Sequence, residues 1–307
     1  MRRLPRTWIW IGIAAVWLVA AATIVVAWLY RTPLLASVRR EIFVLTIVGS
    51  LAVLAVGAVV GSRYELSRRA KAWFISGLGF VAIGLAASLW VDAGFRKTRA
   101  AVLAAPPDVL ARVGRHVIVG YRDIGEVHRL IGARAIAGVF VTARNARGKT
   151  VAALAAEVAE FQRLRAMTGL PPLWIAADQE GGGVARLTPP LDNPGTIRSW
   201  LAGATSHDGP QQSVMQRAEA AGQALARVGV NLNFAPVVDL NFGVDDPADR
   251  FSRISARAIS RDARVVSMAA TAYCAGLARA RVLCTLKHFP GLGRVSGDTH
   301  QIGRAHV

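Results

Sequence analysis

Four side chains that can bind or transfer protons lie within fourteen positions near the end of the sequence. The segment 287–293 reads Lys-His-Phe-Pro-Gly-Leu-Gly, and Asp298 and His300 follow it. Imidazole suits proton transfer because its pKa lies near neutrality, and a neighbouring carboxylate can orient the ring. Packing, exposure or a simple turn would explain any one of these residues alone. Their density around a Pro-Gly-x-Gly turn predicts a loop that carries chemistry.

A second polar motif lies upstream, where the segment 178–186 begins Asp-Gln-Glu-Gly-Gly and ends at Arg186. The carboxylate of Asp178 can accept hydrogen bonds from hydroxyl groups, and Arg186 can donate them. The alternative is a structural ion pair between these two residues. The glycine run 181–183 lacks the Gly-Lys-Ser/Thr ending of a phosphate-binding P-loop, so it predicts a tight turn.

The elements that must position these residues alternate between two hydrophobic patterns. Short apolar runs predict strands at 117–121, 138–141, 173–177, 231–235 and 282–286. Apolar residues at helical spacing predict helices at 151–165, 213–228 and 262–279. This alternation favours a parallel α/β fold. Both polar motifs follow predicted strands, where the loops of such folds gather catalytic groups.

These motifs resemble those of the bacterial β-N-acetylglucosaminidases of glycoside hydrolase family 3. That family's signature reads Lys-His-Phe-Pro-Gly-His-Gly, then Asp-Ser/Thr-His after a short spacer. The segment 178–186 resembles its Asp-Gln-Glu-Gly-Gly-x-Val-x-Arg motif, 233–239 resembles its Phe-Ala-Pro-Val-x-Asp strand, and 257–262 resembles a looser Arg-Ser-Phe-x-x-Asp element. The four motifs stand in family order, and the resemblance runs from about residue 117 to residue 300.

The resemblance implies a retaining glycosidase that removes terminal β-linked N-acetylglucosamine from cell-wall saccharides, without a metal or another cofactor. It implies that His300 is the acid/base and that Asp298 orients the imidazole and favours its protonated form. The positions that match the family's sugar-contacting residues are Asp178, Arg186, Arg257, Lys287 and His288.

The sequence departs from the family pattern at several positions. Leu292 replaces the histidine of Pro-Gly-His-Gly, which removes a polar group but leaves both glycines. Ala258 and Ile259 stand where the family prefers serine and an aromatic residue, so Arg257 is the weakest match. Arg250 and Arg253 are the alternatives for its role.

The family's nucleophile is an aspartate on a later barrel strand, within a Ser-Asp-Asp-like motif, and no such motif follows His300. Asp239 and Asp245 lie after the fourth predicted strand, but nothing in the sequence places either opposite His300. A complete (β/α)8 barrel needs about 250 residues, and about 190 follow residue 114. We therefore expect an incomplete barrel of about five strands, a fragment without turnover.

Two other functions remain open from the sequence. A non-catalytic, membrane-tethered sugar-binding or sensor protein would keep the sugar contacts without the nucleophile. The other is a metal-dependent hydrolase, with His288, Asp298 and His300 as the metal ligands. It is disfavoured because Lys287 beside the site would repel a cation.

The first hundred residues differ in composition from the rest. Three charge-free runs, 7–30, 42–62 and 72–91, reach the roughly 20 residues that span a bilayer, and tryptophans cluster near their ends. A cleavable signal peptide would explain only the first run. The sequence therefore predicts a three-helix transmembrane region at 1–91, a linker at 92–114 broken by the prolines at 106–107, and a catalytic domain at 115–307.

Basic residues that flank the three apolar runs account for most of the net charge of +18. Residues 1–100 contain thirteen Lys and Arg against three Asp and Glu, and these charges flank the apolar runs rather than alternating with stacking aromatics. Nucleic-acid binding is therefore not expected. Seven basic residues flank one side of the spans and six flank the other. This slight asymmetry favours a multi-pass protein of the cell membrane with an inside amino terminus and an extracytoplasmic catalytic domain.

Cys274 and Cys284 are the two cysteines, on a predicted helix and a predicted strand. Two cysteines form neither a zinc framework nor a disulfide scaffold. We expect two reduced residues in the core, which leave the compartment undetermined.

Overall fold

In the computed structural model of the chain, the structure describes residues 5–30, 32, 38–204, 209–245, 247, 249 and 252–297. Contacts between residues divide the chain into two compact units, Met1–Ala104 and Ala105–Val307. The first unit is helical and the second is α/β.

The first unit consists of three long helices, α1 (Arg6–Leu29), α2 (Arg39–Arg63) and α3 (Arg68–Leu103). Each predicted apolar run lies within one of them, apart from Tyr30 directly after α1. All three are long and apolar enough to cross a membrane, judged by length and composition.

Small residues bring α1 and α3 close together. A side chain at Gly77 would meet Val16, and one at Gly84 would meet Thr23. Close approach through small residues is typical of helices that pack within a membrane. At the end of α1, the hydroxyl of Tyr30 donates a hydrogen bond to Asp92 of α3 at 2.8 Å.

The second unit contains eight helices and seven strands among its described residues. In chain order these are α4 (Pro107–Gly114), β1 (Ile118–Gly120), α5 (Ile124–Gly132), β2 (Gly138–Val141), α6 (Ala143–Ala146), α7 (Val151–Ala166), β3 (Trp174–Ala177), β4 (Gln179–Gly181), β5 (Val184–Ala185), α8 (Ile197–Ala202), α9 (Gly209–Arg227), β6 (Leu232–Asn233), α10 (Ile254–Arg257), α11 (Ala263–Arg279) and β7 (Leu283–Cys284).

Five strands form one parallel sheet in the order β1-β2-β3-β6-β7. Each of the five lies within a predicted strand. Helices connect successive strands, as in the repeating unit of a (β/α)8 barrel. The core between sheet and helices is fully buried, since Val139, Phe161, Ile175, Leu225 and Leu277 are at most 1% exposed. The predicted fold class is confirmed: a part of a TIM-type barrel, preceded in the chain by three apolar helices.

Side-chain caps define where the connecting helices begin. The hydroxyl of Thr150 accepts from the backbone N–H of Ala153 at the start of α7. The carboxylate of Asp262 accepts from the N–H of Arg264 at the start of α11. Each cap satisfies a backbone donor that the first turn of a helix leaves unpaired.

Strands β4 and β5 form a small antiparallel hairpin that the sequence analysis did not predict. Gly181 ends β4 and Gly182 begins the turn, with φ values of 95° and 60°, a region where a side chain is strained. The amide of Gln179 fixes the hairpin, because it accepts from the N–H of Leu187 and donates to the hydroxyl of Thr188, both at 2.9 Å. The buried side chain of Gln179 therefore sets the positions of its two acidic neighbours.

The predicted linker at 92–114 is helical over most of its length. Helix α3 continues to Leu103, supported by the ion pair of Asp92 and Arg96 one turn apart. Helix α4 begins at Pro107, a residue suited to the first turn of a helix. The predicted interruption is thus confined to the three residues between the two helices.

The expectation of two reduced cysteines is wrong, because Cys274 and Cys284 form a disulfide. Cys274 lies in α11 and Cys284 in β7, and the short turn between helix and strand reverses the chain. The two Cα atoms are consequently 5.4 Å apart across a separation of ten residues. The helix and the strand were both predicted; the faces that their cysteines occupy were not.

Candidate active site

Polar side chains collect in the loops after three neighbouring strands of the sheet. Asp178 directly follows β3, Asp239 lies in the segment after β6, and Lys287 lies after β7. Because these strands are parallel, the segments after them leave the sheet at the same edge. In barrel folds this carboxyl-terminal edge carries the active site.

Glu180 is the centre of the polar cluster. Its two carboxylate oxygens accept hydrogen bonds from Nε and Nη2 of Arg257, at 2.9 and 2.6 Å. The ammonium of Lys287 contacts the same carboxylate. The third guanidinium nitrogen of Arg257 donates to the backbone oxygen of Ser252 at 2.7 Å. One carboxylate therefore fixes the orientation of two cations.

Lys287 also joins Asp178 to this cluster, with Nζ 2.6 Å from Oδ1. Burial raises the pKa of Asp178, and the nearby Glu180 raises it further, although Lys287 opposes both effects. Burial also acts to raise the pKa of Glu180, but the hydrogen bonds and charges of Arg257 and Lys287 outweigh it and hold that pKa below its ordinary value. The two carboxylates share Lys287, and their pKa values are shifted in opposite directions, upward for Asp178 and downward for Glu180.

Asp239 and His288 form a second polar pair on the adjacent loop. One oxygen of Asp239 lies 2.6 Å from Nδ1 of His288, and the other accepts the N–H of Leu292 at 2.6 Å. The carboxylate is fully buried, while 26% of the His288 side chain is exposed. Burial acts to raise the pKa of Asp239, but the hydrogen bonds from His288 and Leu292 lower it below the ordinary range.

A cavity of about 290 Å³ lies beside the cluster. Glu180, Arg186, Arg253 and Arg257 line it together with apolar side chains. This volume is near the lower end of the roughly 300–1,000 Å³ of small-molecule sites. The site therefore offers fixed donors and acceptors around a space suited to a small polar ligand.

The structure brings together three of the residues matched to the family's sugar contacts, namely Asp178, Arg257 and Lys287. Arg186 lies at the cavity, and its backbone N–H donates to the backbone oxygen of Asp178 at 3.2 Å. The side-chain ion pair of Asp178 is made with Lys287, which replaces the alternative pair with Arg186.

The proposed acid/base pair, Asp298 and His300, lies outside the described residues, as does Arg250. Arg253, the other alternative to Arg257, lines the cavity but is exposed. Among the residues that the structure describes, no group of three His, Cys, Asp or Glu side chains is placed to hold a metal ion.

Two carboxylates that organise the site have no role that the sequence predicts. Glu180 lies inside the Asp-Gln-Glu-Gly-Gly motif, so its signal in the sequence is an acidic residue within a matched motif. Asp239 follows the fourth predicted strand, and only the fold shows that the loop after β7 reaches it. Both act on residues matched to the family, Glu180 on Arg257 and Lys287, and Asp239 on His288.

A protein-family comparison matches the second unit of the chain. The family model described as the glycosyl hydrolase family 3 N terminal domain matches residues 109–305. The beta-hexosaminidase LpqI of Mycobacterium tuberculosis is 33% identical over 201 residues, covering 66% of this chain and 47% of that protein. A beta-hexosaminidase of Xanthomonas euvesicatoria is 35% identical and covers 54% and 46%. The chain thus spans about half the length of the curated relatives that it matches.

Solved structures show the same relationship. A family 3 beta-N-acetylglucosaminidase from Paenibacillus is similar with a TM-score of 0.53 and 30% identity, covering 62% of this chain and 35% of that one. A beta-N-acetylhexosaminidase from Beutenbergia cavernae gives a TM-score of 0.53 at 32% identity, covering 62% and 56%. Because the family model alone matches well over half of the residues, the chain belongs to glycosyl hydrolase family 3, through the N-terminal domain of that family.

Proposed function

We propose that the second unit binds the terminal β-linked N-acetylglucosamine of a cell-wall saccharide at the cluster around Glu180, as part of a β-N-acetylhexosaminidase. The observation that carries the proposal is the partly buried network of Asp178, Glu180, Arg257 and Lys287 beside the cavity. Carboxylates accept from sugar hydroxyls, and Arg and Lys donate to hydroxyl or acyl oxygens. Fixing these groups before binding lowers the entropy lost when the sugar docks.

The proposed chemistry is retaining hydrolysis. His300 would protonate the leaving oxygen and then activate water, and Asp298 would orient its ring. A carboxylate nucleophile would attack from the opposite face, roughly 5 Å from the acid/base. In the family this aspartate belongs to a Ser-Asp-Asp-like motif, which residues 301–307 do not contain. No step in the proposed reaction requires a metal or another cofactor.

We expect the 1–307 polypeptide to bind N-acetylglucosamine but not to turn over an aryl N-acetylglucosaminide. Without the nucleophile, neither the covalent intermediate nor its hydrolysis can proceed. Release of the aryl alcohol by the purified polypeptide, above the rate without protein, would contradict this expectation. Binding without turnover is also the behaviour of a non-catalytic sugar-binding protein. Turnover by a chimaera that supplies the nucleophile distinguishes a part of an enzyme from such a binding protein.

The binding site is tested by Asp178→Asn in the full chain. A hydrogen bond to a charged group contributes about 1.5–3 kcal/mol, so we expect affinity for N-acetylglucosamine to fall roughly 10- to 100-fold. Isothermal titration in detergent measures the change. Asp192→Asn is the matched control, because Asp192 is exposed and takes part in none of the ion pairs of the cluster. Equal affinities of the two variants for N-acetylglucosamine would show that Asp178 does not contribute to the binding site.

We also propose that α1, α2 and α3 anchor the protein in the cell membrane with the second unit outside the cytoplasm. The three apolar helices support the anchor. The disulfide supports the location, because structural disulfides persist in oxidising compartments and are rare in the cytosol.

Both parts of the membrane proposal predict a measurable outcome. The full chain should sediment with membranes until detergent is added. Cys274 and Cys284 should resist alkylation by a membrane-permeant maleimide in intact cells until a reductant is supplied. Recovery in the soluble fraction would exclude the anchor, and rapid alkylation without reductant would place the second unit in a reducing compartment.

A further inference from the structure

Asp239 determines which ring nitrogen of His288 can meet a ligand. We infer that Asp239 is a positioning residue that holds the proton of His288 on Nδ1, so that Nε2 accepts a hydrogen bond from one hydroxyl of the bound sugar. The identity of the ligand rests on the proposed function. The placement of the proton rests on the structure of the chain alone.

The geometry around Asp239 consists of three donors and one carboxylate. Oδ2 lies 2.6 Å from Nδ1 of His288 and also accepts the backbone N–H of His288 at 3.3 Å. Oδ1 accepts the N–H of Leu292 at 2.6 Å. The carboxylate therefore contacts both ends of the turn 288–292, and its side chain has no exposed surface.

The charge on Asp239 decides the direction of the bond to the ring. Burial alone would favour a neutral acid, but the contacts to His288 and Leu292 hold the pKa of Asp239 below its ordinary value. The group is therefore a carboxylate at neutral pH. An ionised carboxylate accepts hydrogen bonds and cannot donate them. The proton between Oδ2 and Nδ1 must belong to the imidazole.

The second ring nitrogen of His288 remains for a ligand. Among the described residues, no hydrogen bond reaches Nε2, and about a quarter of the side chain is exposed. A neutral imidazole with its proton on Nδ1 has an acceptor at Nε2. Lys287 and Arg257 can only donate, so His288 adds an acceptor beside these cations. A sugar hydroxyl that donates to Nε2 satisfies this requirement.

The placement of the proton is measured by long-range ¹H–¹⁵N NMR of the detergent-solubilised full chain labelled with ¹⁵N-histidine. The chain has six histidines, and His288→Gln assigns the signal of interest. We expect a protonated Nδ1 and an unprotonated Nε2 in the wild-type protein. Asp239→Asn should raise the population with the proton on Nε2, because an amide can donate to Nδ1. Asp245→Asn, an exposed carboxylate in the same segment, should leave the spectrum unchanged.

The acceptor role is measured with deoxyfluoro analogues of N-acetylglucosamine, since fluorine occupies the place of a hydroxyl but cannot donate. One analogue should bind the wild-type chain roughly 2- to 10-fold more weakly than the parent sugar, the loss of one neutral hydrogen bond. The difference in affinity between this analogue and the parent sugar should disappear in Asp239→Asn, where Nε2 carries the proton. The same difference should persist in Asp245→Asn.

A proton on Nε2 of His288 in the wild-type protein would overturn the inference. This NMR measurement on the wild-type protein does not depend on whether any variant folds. Equal losses for the analogues in wild-type and Asp239→Asn chains would overturn the acceptor role. If the wild-type ring carries its proton on Nδ1 but no N-acetylglucosamine binds, the proposed function is wrong and the positioning role of Asp239 stands.

Discussion

Replacing His300 with alanine is expected to slow hydrolysis of an unactivated N-acetylglucosaminide disaccharide by roughly 10²–10⁴-fold, the usual contribution of general acid–base catalysis. The leaving oxygen of a sugar is a poor leaving group and needs the proton. An activated aryl alcohol leaves almost unaided, so its release should slow far less. The measurement needs a turnover-competent polypeptide, for example residues 1–307 joined to the nucleophile-bearing strands of a family 3 relative.

Asp298→Ala provides the companion measurement. The imidazole remains in that variant, and only its orientation and the preference for the protonated form are weakened. We therefore expect Asp298→Ala also to slow hydrolysis of unactivated substrates more than that of activated ones, but with a smaller loss of rate than His300→Ala. An equal loss on activated and unactivated substrates for His300→Ala would indicate a binding or structural role. A chimaera that binds the sugar and never turns over would instead favour a non-catalytic sugar-binding protein.

Replacing Glu180 with glutamine is expected to destabilise the second unit by about 3 kcal/mol, the lower end of the cost of breaking a buried ion pair. The side chain of Glu180 is 8% exposed, and the change removes the charge that Arg257 and Lys287 share. The loss of stability should stay at the lower end of that cost because both cations retain a partner. Lys287 still pairs with Asp178, and Arg257 still donates to the backbone oxygen of Ser252. For a unit of this size, the melting temperature should fall by about 6–12 °C.

Glu219→Gln is the matched control, because the pair of Glu219 and Arg279 is 3.2 Å apart and about half exposed on the arginine side. Exposed ion pairs contribute about 0–1 kcal/mol, so the midpoint should hardly move. Thermal unfolding of the detergent-solubilised chain, followed by near-UV circular dichroism, measures both variants. Equal shifts in the two variants would show that Glu180 does not hold the cluster together.

Hydrophobic patterns were sufficient to predict the parallel sheet and its long helices. Strand β2 has the predicted bounds, and α7 and α11 each differ from prediction by one residue at an end. Strand β2 is a continuous apolar run because a parallel strand is buried on both faces, whereas each helix has apolar residues at helical spacing because one face packs on the core. The hairpin of β4 and β5 has no such pattern, since the side chain of Gln179 and two glycines with positive φ hold it together.

The parts of the site that escaped prediction depend on contacts between distant segments. Glu180 meets Arg257 across 77 positions, and Asp239 meets His288 across 49. Local sequence carries no information on such pairings, which exist only after parallel strands bring their ends to one edge. The disulfide was missed for a related reason, because it depends on which face of α11 turns toward β7.

A crystal structure of the chain with N-acetylglucosamine tests the proposed sugar site most directly. We expect a sugar in the cavity beside Glu180, with oxygens within about 3.2 Å of Asp178 and of Arg186 or Lys287, and one hydroxyl facing Nε2 of His288. A sugar bound elsewhere on the second unit, with the cluster of Asp178, Glu180, Arg257 and Lys287 unoccupied, would contradict the proposed site.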